Sequence, residues 1–227
     1  MRLRSAFGGA MGVALALLGA VAQAAPDAFL EVTHSAITTG ADGIKRTTEF
    51  TERVQRQGST VWVERLLPAA LHKDEEHHKA NTAHKHADLG TAVRWIERSS
   101  SGKPQLRLVA QHDQVLVNIA PAEFATVGFD GSWLSAYHLI DPVVLKKLQP
   151  GPKQGSAQWY ASAPQNGSTA LRILWDPVLE LPLQVQSQSA DGLSNRRTSV
   201  RVLPAQAKQP WKATGQYAVK DYSDFLD

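Results

Sequence analysis

Turn-forming residues punctuate this chain so often that, beyond position 25, no uninterrupted apolar run exceeds the length of a strand. A membrane helix needs about 20 apolar residues and a helical bundle needs sustained 3.6-residue periodicity, so neither architecture is expected there. What remains is a series of short branched and aromatic runs between Gly, Pro, Asn, Asp and Ser clusters, which is how antiparallel β proteins are written.

Residues 46–56 and 60–66 flank Gln57, Gly58 and Ser59 and predict a hairpin. In the second run Val61, Val63 and Arg65 point one way and Trp62, Glu64 and Leu66 the other, because strand side chains alternate. Residues 92–98, 105–110 and 115–119 continue as a meander through the turns at 99–104 and at His112 and Asp113. The pattern breaks at Pro121, and residues 129–133 carry an Asp130-Gly131 turn. Asp141 followed by Pro142 predicts a short helix ending at Pro150, with Val144, Leu145 and Leu148 as its apolar face. Strands resume at 158–162, 170–175, 181–187 and 197–203, and the tail from Lys220 reads equally as a docked helix or a frayed end. The fold class is thus mainly β with a few helices (α+β), one domain over residues 26–227, a size that β-rich domains commonly reach.

The first 25 residues read differently. Arg2 and Arg4 precede an apolar stretch too short to span a bilayer, and Ala22, Gln23 and Ala24 form a small-residue cleavage site, the layout of an export signal removed near Ala25. A soluble periplasmic protein is expected. With Arg2 and Arg4 taken from the 24 basic residues, 22 remain against 21 acidic ones, which argues against a nucleic-acid partner. The chain has no cysteine, so neither a lipid anchor on cysteine nor a disulfide framework is expected.

Within residues 171–202, the run Arg172-Ile173-Leu174-Trp175-Asp176-Pro177, then Leu181-Pro182-Leu183-Gln184-Val185, then Asp191-Gly192, resembles the late hairpin of the periplasmic LolA, LolB and RseB-like superfamily. The resemblance implies an antiparallel, unclosed β half-barrel with a helical plug on its concave face. It also implies an apolar concavity that handles acyl chains, lipoproteins or a regulatory partner. No site residue transfers from the family to a position here. The cavity residues expected from the chain's own pattern are Trp62, Trp95, Trp133 and Trp175, with Leu139, Val143, Val144 and Leu148 on the covering helix.

Five of the eight histidines, His72, His77, His78, His84 and His86, fall in a loop expected over 69–90 that also carries Asp74, Glu75, Glu76 and Asp88. Imidazole and carboxylate donors suit zinc or Cu(II), whereas Cu(I) wants sulfur. Lys73, Lys79 and Lys85 interleave the histidines and repel a cation, so a solvated charged connection is the competing reading. No nucleophile elbow, His-Glu-x-x-His or phosphate loop is present, so no enzyme and no required cofactor is expected. The leading expectation is a carrier or sensor for a lipid or acylated protein. Metal binding through residues 72–86 and a regulatory protein–protein module are the alternatives.

Overall fold

The structure is a computed structural model that describes residues 25–67, 89–163 and 167–225. Residues 1–24 of the expected export signal and all five candidate metal-binding histidines lie outside the described residues.

Twelve strands form a single unclosed sheet. Strands β1 (Ala28–Thr39), β2 (Lys45–Gln57), β3 (Thr60–Leu66), β4 (Val93–Arg98), β5 (Pro104–Ala110) and β6 (Val115–Ile119) run as a meander. After a crossing segment come β7 (Gln149–Gln154), β8 (Ala157–Ala161), β9 (Ala170–Asp176), β10 (Leu181–Gln188) and β11 (Ser194–Val202), and the chain ends on β12 (Ala218–Asp221). The order across the sheet is β12-β6-β5-β4-β3-β2-β1-β11-β10-β9-β8-β7, with every neighbouring pair antiparallel except β12 and β6. The two outermost strands do not meet. This is the mainly antiparallel, unclosed half-barrel with few helices that the LolA-like resemblance implied.

The order explains the cover. Strand β6 lies beside one edge and β7 forms the other, so residues 120–148 must traverse the sheet between them. They do so over one face, with a 3-10 turn at Pro121–Glu123, helix α1 (Trp133–His138) and a 3-10 turn at Pro142–Lys147. Ser132 caps α1 by accepting the Ser135 amide at 3.1 Å, which satisfies one of the amides left open at a helix start.

Register decides which side chains face that cover. Leu30 pairs with Val54, Val54 with Val63, Val61 with Ile96, Ile96 with Leu106, and Leu106 with Ile119, so all share the inner face. They form one core with Phe124, Phe129, Trp133 and Tyr137 from the crossing segment. Trp62 and Trp95 sit opposite each other on the outer face, where they pack with Val93, Val109 and Leu116 and under Trp211 and Tyr217. The C-terminal segment therefore covers part of the outer face and then adds β12 to the edge. Its end is docked: Tyr222 and Phe225 pack against the inner core.

Several expectations differ from what forms. Strand β1 lies mid-sheet although its polar outer half, with His34, Ser35 and Thr38, breaks the apolar alternation that marks a strand. Pro150 and Pro152 do not merely end a helix; they lie in β7, where an edge strand tolerates residues that cannot donate to a ladder. The expected helix after Asp141 is a 3-10 turn with no buried residue, so α1 is the inner-face helix instead.

Candidate functional site

The inner face changes character along β1 and β2. Near their Ala28 and Arg56 ends it is closed: Leu30 and Val32 are almost fully buried beneath the crossing segment. Toward the other end the crossing segment packs less closely, and the inward positions become His34, Phe50, Glu52 and Arg65. Two cavities open there. One of about 350 Å³ lies between the sheet and α1, lined by Val32, Val54, Ile96, Ala136, Leu139 and Val185 among others. The second, of about 620 Å³, lies against Phe50, Val63, Arg65, Leu108, Val127 and Tyr222. Both are lined by His34, Glu52, Val63, Arg94 and Gly128, so they form one groove with an apolar floor and a charged waist.

The waist is built by cross-strand neighbours. Arg94 donates from Nη2 to Glu52 Oε1 at 2.7 Å, and His34 Nε2 lies 3.3 Å from Glu52 Oε2. On its other side His34 Nδ1 is 3.2 Å from the Thr198 hydroxyl, and its ring stacks on Phe50 with centroids 4.8 Å apart. The Arg65 guanidinium lies 4.5 Å from the same Phe50 ring centroid. Burial alone would raise the Glu52 carboxyl, but the His34 contact and the Arg94 charge outweigh it and hold the group below its ordinary value.

Thr198, His34 and Glu52 have the residue types of a hydroxyl–imidazole–carboxylate triad, and the groove would admit a substrate. Acyl transfer also needs backbone N–H donors for the developing oxyanion. Thr198 sits inside β11, between β1 and β10, so its backbone belongs to the sheet ladder rather than to a free loop.

Below the groove, the closed end is pinned by Arg56, which is 1% exposed. It donates to the carbonyls of Tyr137 (3.0 Å), Pro26 (2.8 Å) and Leu179 (2.7 Å), tying β2 to α1, to the chain's entry into β1 and to the β9–β10 turn. Tyr137 in turn donates its hydroxyl to the Ala25 carbonyl at 3.0 Å. Leu139 follows α1 at φ +64°, a left-handed conformation costly for a branched side chain, and that conformation accompanies a place on the groove wall.

Of the residues singled out from sequence, Leu139 lines the groove, and Trp133 belongs to the inner core beside Tyr137, with ring centroids 5.0 Å apart. Trp175 is buried with its ring centroid 6.4 Å from that of His138 on α1. Trp62 and Trp95 do not face the concavity, because register places both on the outer face. Val143, Val144 and Leu148 do not line it either: their turn carries no buried residue, and Val143 is 46% exposed. The waist of His34, Glu52 and Arg94 was missed, since each is an ordinary polar residue until β1, β2 and β4 are put in register. Among the described residues no group of three or more His, Cys, Asp or Glu side chains is arranged to hold a metal. No helix among them is long and apolar enough to cross a membrane.

No protein-family model matches the chain, and no curated protein matches it. Among solved structures, the chain is 12% identical to PNGF-II over 88% of its own length, with a TM-score of 0.38, and spans only 33% of that chain. It is 12% identical to MucB in its complex with MucA(peri), covering 80% of this chain and 52% of that one at a TM-score of 0.37. A LolA superfamily protein from Nitrosomonas europaea is 8% identical, covering 82% of this chain and 92% of that one at a TM-score of 0.34.

Proposed function

We propose that this protein is an exported, non-enzymatic carrier or sensor that holds an acyl chain, of a lipid or of an acylated partner, in the groove between its sheet and the crossing segment. The observation that carries the reading is the pair of adjoining cavities, with Val32, Val54 and Ile96 beneath α1 in one, Leu108 and Val127 in the other, and His34, Glu52 and Arg94 lining both. An unclosed sheet must cover its inner face with something, and the described residues cover only part of it. The charged waist suits an amphiphile, with the acyl chain on the apolar floor and a polar head at Arg94 and Arg65.

Burial contributes about 0.8 kcal/mol per methylene, so ten methylenes supply about 8 kcal/mol before the costs of association. Long chains should therefore bind and short ones should not. The test is titration of delipidated protein with a fluorescent long-chain fatty acid, followed by displacement with palmitate and with butyrate. Saturable binding displaced by palmitate alone is the expected result. Absence of saturable binding would reject the reading.

A further inference from the structure

The end of the sheet toward which the groove opens carries a second feature. Two turns project there side by side: the β1–β2 turn at residues 40–44 and the β10–β11 turn at residues 189–193, joined by the Thr39 amide donating to the Leu193 carbonyl at 2.8 Å. Three large aliphatic side chains stand exposed on this end, Ile37 at 45%, Ile44 at 56% and Leu193 at 46%. Ile37 pairs with Asn195, so Leu193 lies diagonally across from it on the same outer face.

The same end is basic. Lys45, Arg46, Arg172, Arg196 and Arg197 lie within it, against Asp42, Glu49 and Asp191. Two of the three acids are turned into their own loops. Asp42 accepts the Ile44 amide at 3.0 Å and Arg46 at 3.1 Å. Asp191 accepts the Leu193 amide at 2.9 Å and the Ser189 hydroxyl. None of the ion pairs among the described residues involves Lys45, Arg172, Arg196 or Arg197. A shallow cleft of about 420 Å³ runs past Ile37, Arg172, Gln186, Asn195 and Arg197, with donors on its walls.

Arg172 lies over the Trp159 ring and Arg197 donates to the Ser199 hydroxyl, but neither has an acidic partner among the described residues. Exposed aliphatic tips beside cations without acidic partners match the boundary of an anionic bilayer, where apolar side chains enter the acyl region and basic residues meet lipid phosphate. A second copy of the chain matches poorly, because a two-fold contact would set Arg172, Arg196 and Arg197 against their own counterparts. We propose that this end of the sheet docks on an anionic lipid bilayer, with Ile37, Ile44 and Leu193 inserted and the arginines on the headgroups. The proposal rests on the acyl-carrier reading for its purpose, since docking here presents the open end of the groove to the membrane. Its geometry rests only on the two turns.

The experiment is flotation of the full chain with vesicles of phosphatidylcholine alone or mixed with phosphatidylglycerol, run beside the fatty-acid titration. The wild-type protein should float with the anionic vesicles, less so as salt is raised, and not with the neutral ones. The variant combining Ile37→Ser, Ile44→Ser and Leu193→Ser, and the variant combining Arg196→Glu with Arg197→Glu, should each bind anionic vesicles at least about tenfold more weakly. Both variants should take up the fatty-acid probe as the wild type does. Wild-type protein that fails to float, or variants that float equally well, would overturn the docking while probe binding continues to report the groove. Self-association in vesicle-free buffer that the aliphatic variant abolishes would assign the patch to a second copy and overturn the proposal as well. Loss of probe uptake by the wild type itself would sink the carrier reading and, with it, the stated purpose of the docking.

Discussion

Arg56 and Tyr137 hold each other twice: the guanidinium donates to the Tyr137 carbonyl at 3.0 Å and lies 4.7 Å from the centre of its ring. Burial pushes the guanidinium below its ordinary value and the Tyr137 phenol above its own. The cation is retained at the closed end because three carbonyls from three separate segments converge on it. Replacing Arg56 by Met keeps the stem and leaves those carbonyls without donors. The expected loss is about 3–5 kcal/mol of stability, measured by urea unfolding. Arg56→Lys should recover part of it, because a single ammonium cannot reproduce the planar fork.

Glu52 makes stability depend on acid. Its folded carboxyl lies below the ordinary value of 4.5, so its contribution is fully present above that value and is lost as pH falls through the lower, folded one. Glu52→Gln should therefore be less stable than wild type at neutral pH. The difference should shrink as pH is taken below the ordinary carboxylate value of 4.5 and vanish once the folded carboxyl is protonated. Paired urea titrations at neutral pH and below that value would read it; a gap that stayed constant would show that the charge is not responsible.

Ala136 offers a way to fill the groove from the margin of the core, against which it packs. It lies on α1, is half-buried and lines the smaller cavity. Ala136→Phe should change stability by less than about 1.5 kcal/mol and weaken the fatty-acid probe at least about tenfold. Unchanged affinity would place the ligand elsewhere.

Leu139 couples strain to the same wall. Leu139→Gly relieves a left-handed backbone costing about 1–2 kcal/mol and removes a half-buried side chain of similar worth. Near-neutral thermal stability with weaker probe binding is the expected pair of results. A large stability gain with unchanged binding would mean that the side chain contributes nothing to the groove.

The tryptophans report which face is occupied. Trp133 belongs to the crossing segment and packs in the inner core, and Trp95 lies on the outer face in the cluster that Trp211 also packs against. A brominated acyl ligand should lose most of its quenching in Trp133→Phe and keep it in Trp95→Phe. The reverse pattern would put the ligand on the outer face.

The amino-acid sequence by itself determined the class of fold and the positions of most strands. Branched runs between Gly and Pro clusters permit little else, and the hairpin at Gly58, whose φ is +56°, requires a residue free to turn left-handed. It also determined that Val61 and Val63 share a face that Trp62 does not, because strand alternation is local. What alternation could not decide is which of the two faces is the concavity. Tertiary structure decided that when residues 120–148 crossed from one edge of the sheet to the other over the valine face, leaving Trp62 and Trp95 to the C-terminal segment. The same holds for the helix: Asp141 and Pro142 start a turn as expected, but α1 packs inward because Trp133 and Tyr137 reach the core first. The waist of His34, Glu52 and Arg94 and the pin at Arg56 join residues up to 123 positions apart. Such contacts exist only once strands distant in sequence lie about 5 Å apart in the sheet, and no local pattern encodes them.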